Sequence, residues 1–154
     1  MNKREGQNVY KVSMANATGS HLAQIHDLLA RKRYSVTELD TSVLKIQDLE
    51  SGISLRAVLE GEILFLSLVC MVVPRSRITP ELMHKMLAAD NGISTPHFQL
   101  YDASNGRVAV TLNNFCKLQD LGPDDEDDIL SCVSFLLADV VHAQDLIGAD
   151  LQAA

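Results

Sequence analysis

An α+β fold, built on one mostly antiparallel sheet of about five strands with helices packed against it, is predicted by three observations. The hydrophobic period switches from 3.6 to 2 and back along the chain. The connections between successive period-2 runs are too short for crossovers, so those runs pair as antiparallel neighbours. Strands and helices also do not alternate strictly, which argues against a wound parallel sheet. The length, 154 residues with 47% apolar and 21% charged side chains, supplies one core and one domain. With no Trp and only seven Phe and Tyr, that core is aliphatic.

The expected divisions are a weakly ordered or edge-strand segment over 1–18, a single α+β domain over 19–148 and a tail over 149–154. Within the first segment only Val9-Tyr10-Lys11-Val12 has the composition of a strand. Ser20 is placed as an N-cap, and Leu22, Ile25, Leu28 and Leu29 recur at three- and four-residue steps. Arg31-Lys32-Arg33 then meets the negative end of the helix dipole, which gives a first helix over about 20–33.

Leu44 and Ile46 alternate with Lys45 and Gln47, and Ile53, Leu55, Ala57 and Leu59 alternate with Ser54 and Arg56. Glu50-Ser51-Gly52 and Glu60-Gly61 are the intervening turns. The run Ile63–Val73 is apolar at every position but Ser67, which predicts a central strand covered on both faces. Pro74 ends it. Thr79-Pro80-Glu81 opens a second helix whose apolar stripe is Leu82, Met83, Met86 and Leu87, stopped by Asn91-Gly92. His97–Asp102 and Arg107–Leu112 flank Ala103-Ser104-Asn105-Gly106, a hairpin signal. The last helix is expected over about 124–147, with Ile129, Val133, Leu136, Leu137, Val140, Val141 and Ile147 on its core face and Gly148 as its end.

Chemistry is sparse. Cys70, Cys116 and Cys132 form no C-x-x-C pair, and the free thiols suit a reducing interior. The N-terminal residues have no apolar h-region, and the eleven residues of Ile63–Val73 do not span a bilayer, so the expectation is a cytoplasmic protein without a transmembrane segment. His21, His26, His84, His97 and His142 show no metal-ligand spacing, and no metal or cofactor is expected. Nucleophile-elbow and phosphate-loop motifs are absent, so no catalytic residue is assigned. Cys70 and Cys132 read as small hydrophobes, whereas Cys116 is placed in a loop. A small-molecule site or enzyme assembled from loops, with Cys116 beside His97 or His84, stays open as the alternative.

The net charge of −7 makes a poor nucleic-acid footprint, and Arg31, Lys32, Arg33, Arg75 and Arg77 are too few to reverse it. The acidity is one patch. Without Asp120, Asp124, Asp125, Glu126, Asp127 and Asp128, thirteen basic residues face fourteen acids. The run fails as a calcium loop, because Ile129 stands where Gly is needed and Phe135 where a bidentate Glu is needed. It suits a helix N-terminus or the docking of a basic partner segment.

Cys132, Phe135 and Ala138 make a second apolar stripe beside the main face of the last helix. These three residues and the acidic run are the candidates for partner binding or dimerisation. A sheet covered on one side also leaves a face and two edges free to bind. The function expected is therefore a non-enzymatic protein-binding module, chaperone-like or an adaptor.

The order of elements and several stretches resemble the type III secretion chaperone-like fold, in particular its YbjN-like branch, whose stress-related members lack an established chemistry. The stretches are Ile63–Val73 running into Pro74, Glu81-Leu82-Met83…Leu87…Asn91, Phe98-Gln99-Leu100-Tyr101-Asp102…Gly106-Arg107-Val108, and the acid-started last helix. Together they extend over about 43–147. Asn113-Asn114-Phe115-Cys116-Lys117 departs from the pattern. The resemblance implies a homodimer that binds protein segments and has no enzyme activity.

Overall fold

The computed structural model describes residues 21–152. The expected N-cap Ser20 and the short run Val9–Val12 lie outside the described residues. A helix occupies 21–30 (α1), followed by a turn at 31–33. Then come β1 (Tyr34–Asp40), β2 (Val43–Asp48), β3 (Ser54–Glu60), β4 (Ile63–Pro74), a single 3-10 turn, α2 (Pro80–Leu87), β5 (His97–Asp102), β6 (Arg107–Lys117) and α3 (Pro123–Gln152). The strands form one antiparallel sheet in the order β1-β2-β3-β4-β6-β5. The α+β class and the helix–strands–helix–strands–helix order stand as read from the sequence.

The sheet has one strand more than expected. β1 buries only Tyr34 and half-buries Val36, so its hydrophobic pattern is too faint to read without its partner β2. β6 is also longer than its alternating run, because Phe115, Cys116 and Lys117 pair with β4. The hairpin before it turns as predicted, with Asn105 at φ 60° and Gly106 at φ 68°, the left-handed pair that a two-residue turn requires.

Burial divides the sheet into two faces. Leu44, Ile46, Leu55, Ala57, Leu59, Leu64, Leu66, Leu68, Val110 and Leu112 are all buried on the side of the helices. Leu22, Ile25, Leu28 and Leu29 of α1, Leu82 and Met86 of α2, and Ile129, Val133, Leu136, Val140, Ala143 and Ile147 of α3 close over them. The expected α2 stripe is thus half right. Met83 and Leu87 are exposed, because eight residues pack only two side chains onto the core. Val141, expected on the core face of α3, is also exposed. Gly148 does not end α3, which runs on to Gln152; there Asp150 pairs with Lys85 of α2 at 2.7 Å.

Polar anchors hold the helices at fixed positions. Thr79 Oγ1 accepts from the Leu82 N–H at 3.1 Å, the N-cap expected for α2. The register of β4 shifts at Cys70, and the Cys70 carbonyl accepts from Gln144 Nε2 of α3 at 3.1 Å. The bulge is therefore tied to the helix above it. Beyond α2, Asn91 Nδ2 donates to the Met86 carbonyl, and Asp139 of α3 accepts from both the amide and the hydroxyl of Ser94.

Candidate protein-binding surface

β4 lies in the middle of the sheet, but only one of its faces is covered by any described element. Phe65, Val69 and Val72 are 41%, 55% and 41% exposed, against 0–1% for Leu64, Leu66 and Leu68. The double covering expected for Ile63–Val73 is therefore wrong. Of the residues expected in the core, Phe65 is thus exposed on the open side, Leu100 of β5 is 41% exposed on the helix side opposite Val110, and Ile63 and Leu137 are only half-buried. An apolar side chain on an uncovered face signals a contact still to be made.

The pairing register shows how this face is laid out. One row across the strands runs Val43, Val58, Phe65 and Phe115. The Phe65 and Phe115 rings are 6.4 Å apart between centroids, tilted by 41°. The next row runs Thr37, Lys45, Arg56, Ser67, Asn113 and His97. Beyond it lie Val69, Thr111 and Gln99, then Val72, Ala109 and Tyr101. Here the polar side chains bond to one another. Asn113 Nδ2 donates to Thr111 Oγ1 at 2.7 Å, Thr111 Oγ1 donates to the Gln99 carbonyl, and the Tyr101 hydroxyl donates to Gln99 Oε1. The surface is thus a held platform of alternating apolar and polar rows. Two adjoining depressions of about 500 and 560 Å³ lie along it, and Ser67 and Tyr101 line both.

The residues singled out from the sequence fall elsewhere. In the second stripe of α3, Phe135 is 40% exposed and Ala138 is exposed, whereas Cys132 is half-buried with its Sγ 3.6 Å from the Phe115 carbonyl. Ala138 lines a shallow depression with Arg33, Asp48, Glu50 and Ser51. Of the acidic run, Asp124, Asp127 and Asp128 are exposed, Glu126 is half-buried and Asp125 is buried. Asp125 Oδ2 accepts from the backbone amides of Gln119, Asp120 and Leu121, at 2.8, 3.1 and 2.7 Å. That carboxylate holds the turn between β6 and α3, and the other four acids surround it.

Cys116 is in β6 and buried, where a loop was expected. It sits opposite Leu64 on the helix side, whereas His97 sits opposite Asn113 on the open side. The two residues lie on opposite faces of the sheet, and no site joins them. The Cys116 thiol is pushed far above its ordinary range by its hydrogen bond to Cys132 and by burial. Cys132 moves the other way, lowered by the same hydrogen bond. A thiol held protonated in the core is a poor nucleophile.

Asp48 is the other buried acid outside the acidic run. Its Oδ2 accepts from the Ser51 hydroxyl at 2.6 Å and the Ser51 amide at 3.0 Å, and its Oδ1 lies 3.5 Å from Arg33 Nε. The Ser51 hydroxyl above all, with Arg33 assisting, holds the carboxyl below its usual value. Arg33 also pairs with Glu50, and Arg75 pairs with Asp102, so part of the basic set is already engaged.

A one-sided antiparallel sheet, helices on its back and a bare apolar–polar face define an open-sheet α+β fold. Among solved structures it is similar to the crystal structure of the ExsC-ExsE complex. That likeness covers 84% of this chain and 95% of the other, with a TM-score of 0.59 at 16% identity. At that identity the likeness concerns the fold alone; it supports the chaperone-like fold that the sequence resembles and does not extend to the YbjN-like branch. No family model and no curated protein sequence matches the chain. By length and composition α3 is long and apolar enough to cross a membrane; in this fold its apolar face is packed on the sheet.

Proposed function

We propose that the protein is a non-enzymatic, chaperone-like protein-binding module of the cytoplasm, with a YbjN-like role as client escort or adaptor. The observation that carries this reading is the open face, where Phe65, Val69, Tyr101 and Phe115 stand exposed on a sheet whose other face is packed against the helices along its central strands. Large aromatics on a platform fixed by its own hydrogen bonds are the usual anchors of a protein interface. The ExsC structure is that of a complex with ExsE, so this backbone arrangement is compatible with holding a second protein. A pull-down from the source cell with the intact protein, run beside a Phe65→Ser/Phe115→Ser variant, tests the reading. A stoichiometric client captured by the first and lost by the second is expected. Equal capture by both moves the binding surface elsewhere.

The reading includes a homodimer. Cys132, Phe135 and Ala138 are its proposed contact region, and Asp124, Asp125, Glu126, Asp127 and Asp128 at the start of the same helix form the proposed acidic patch for a basic partner segment. Phe135 supports this, being a Phe left 40% exposed on a helix whose other face is buried. The acidic starts repel one another, so the proposed contact lies along the helix body or at a strand edge, with the acidic ends apart in solvent. Phe135→Glu is expected to shift the protein to a monomer in sedimentation. A monomeric unmodified chain at tens of micromolar ends this part of the reading.

A further inference from the structure

The open face carries a charge arrangement that the sheet does not neutralise. Lys45 of β2 and Arg56 of β3 are direct cross-strand partners, and both are exposed on the side away from the helices. Like charges directly opposite on one face of an antiparallel pair are destabilising. Their neighbours in the same row are Thr37 and Ser67, and neither is an acid. Among the described residues, Arg33, Arg75, Lys85 and Lys117 each have a carboxylate within ion-pair distance. Lys45 and Arg56 have none, as is true of Arg31, Lys32, Arg77 and Arg107, but only Lys45 and Arg56 are direct cross-strand partners. In a chain with seven more acids than bases, two cations stand side by side with no ion-pair partner. The acids near them on this side are Asp40, opposite Val43 in the adjoining row, and Glu60, beyond Val58 on β3.

The two cations also occupy one end of a shaped track. Their row continues through Ser67 and Asn113 to His97, and the apolar row of Val43, Val58, Phe65 and Phe115 runs beside it. From Lys45 to His97 the row crosses five strands, roughly 19 Å at about 4.8 Å per strand, the reach of about six extended residues. The depressions along it adjoin and are open to solvent, so a small molecule would stay partly uncovered where a chain would lie along the whole track.

We propose that the open sheet face seats a partner segment in which acidic and apolar side chains alternate, with carboxylates over Lys45 and Arg56 and apolar side chains against Phe65 and Phe115. The proposal rests on the protein-binding reading above and adds the chemistry of the partner. The acidic patch at the start of α3 repels such a segment, and the cationic pair sets both its entry point and its register. The chain's own residues 1–20 have the wrong sign, with Lys3, Arg4 and Lys11 against Glu5. A second copy stacked face to face about an axis through the pair would crowd four cations together.

The test uses the full chain and labelled peptides of about eight residues, long enough for the track. They alternate Leu with Glu, Leu with Gln, or Leu with Lys, and binding is followed by fluorescence anisotropy at low and high salt. The Leu–Glu peptide is expected to bind at least about tenfold more tightly than the Leu–Gln peptide at low salt, with the margin shrinking as salt screens it. Lys45→Glu/Arg56→Glu, with its fold checked by circular dichroism, is expected to transfer the preference to the Leu–Lys peptide. Phe65→Ser is expected to weaken binding of all three. Equal affinity for the Glu and Gln peptides overturns the charge selection while leaving peptide binding in place. Binding of none of the peptides overturns the proposal, and the client pull-down then judges the broader reading separately. Displacement of the Leu–Glu peptide by a simple fatty-acid anion at comparable concentration also overturns it, in favour of a small-molecule site.

Discussion

The two faces of the sheet are built from alternate residues of the same strands and have opposite fates. On β4, Leu64, Leu66 and Leu68 are buried under the helices, while Phe65 and Val69, one position along, are about half exposed. Hydrophobicity is nearly equal on the two sides, so burial, not composition, separates them. The packed face stabilises the fold, at about 1.5–3 kcal/mol for each fully buried large aliphatic side chain. The open face contributes little to folding, and its apolar residues are explained by a contact outside the chain.

The sharpest way to break this comparison is to place a charge on the packed side. Leu66→Asp buries an unpaired carboxylate and is expected to cost about 3 kcal/mol or more. Thermal unfolding should show a large fall in midpoint, and an unchanged midpoint would refute the assignment of Leu66 to the core. Asp125→Ala comes next. It strips three backbone amides of their acceptor in the turn that starts α3, and about 2–3 kcal/mol is expected to be lost in urea unfolding. A loss near zero would show that those amides find other acceptors.

A smaller effect belongs to Asp48, whose two bonds from Ser51 close the β2–β3 turn. Asp48→Ala should cost about 1–2 kcal/mol. Because the folded carboxyl titrates below its unfolded value, its stabilisation is complete above about pH 4 and is lost as pH falls through the folded value. Acid unfolding of the Asp48→Ala protein should therefore lack that part of the pH dependence; identical acid profiles would contradict it. The smallest effect is expected on the open face. Phe65→Ser removes one tilted aromatic contact and should change stability by about 1 kcal/mol or less. If it matched the cost of Leu66→Asp, the face would be covered in solution.

Local signals carried most of the fold. Thr79-Pro80-Glu81 started α2, Asn105-Gly106 turned the last hairpin, and period-2 runs marked β2 and β3, because caps, turns and alternation act over a few residues. The candidate surface was less legible. The unbroken apolar run Ile63–Val73 looks the same whether its second face meets a helix or solvent, and only the placement of α1, α2 and α3 on one side distinguishes the two. β1 and the end of β6 were missed because their strand character comes from pairing with β2 and β4.

Composition, period and turn chemistry thus determined the class of fold, the order of elements and most of the core residues, since each of these rests on contacts near in sequence or on the total apolar content. Tertiary structure alone decided which face of β4 stayed bare, that Cys116 and His97 lie on opposite sides, and that Lys45 and Arg56 stand together without an ion-pair partner. Those facts depend on which strands become neighbours and on where the helices pack. Residues such as Arg56 and His97, distant in sequence, share a row only because β3, β4, β6 and β5 lie side by side.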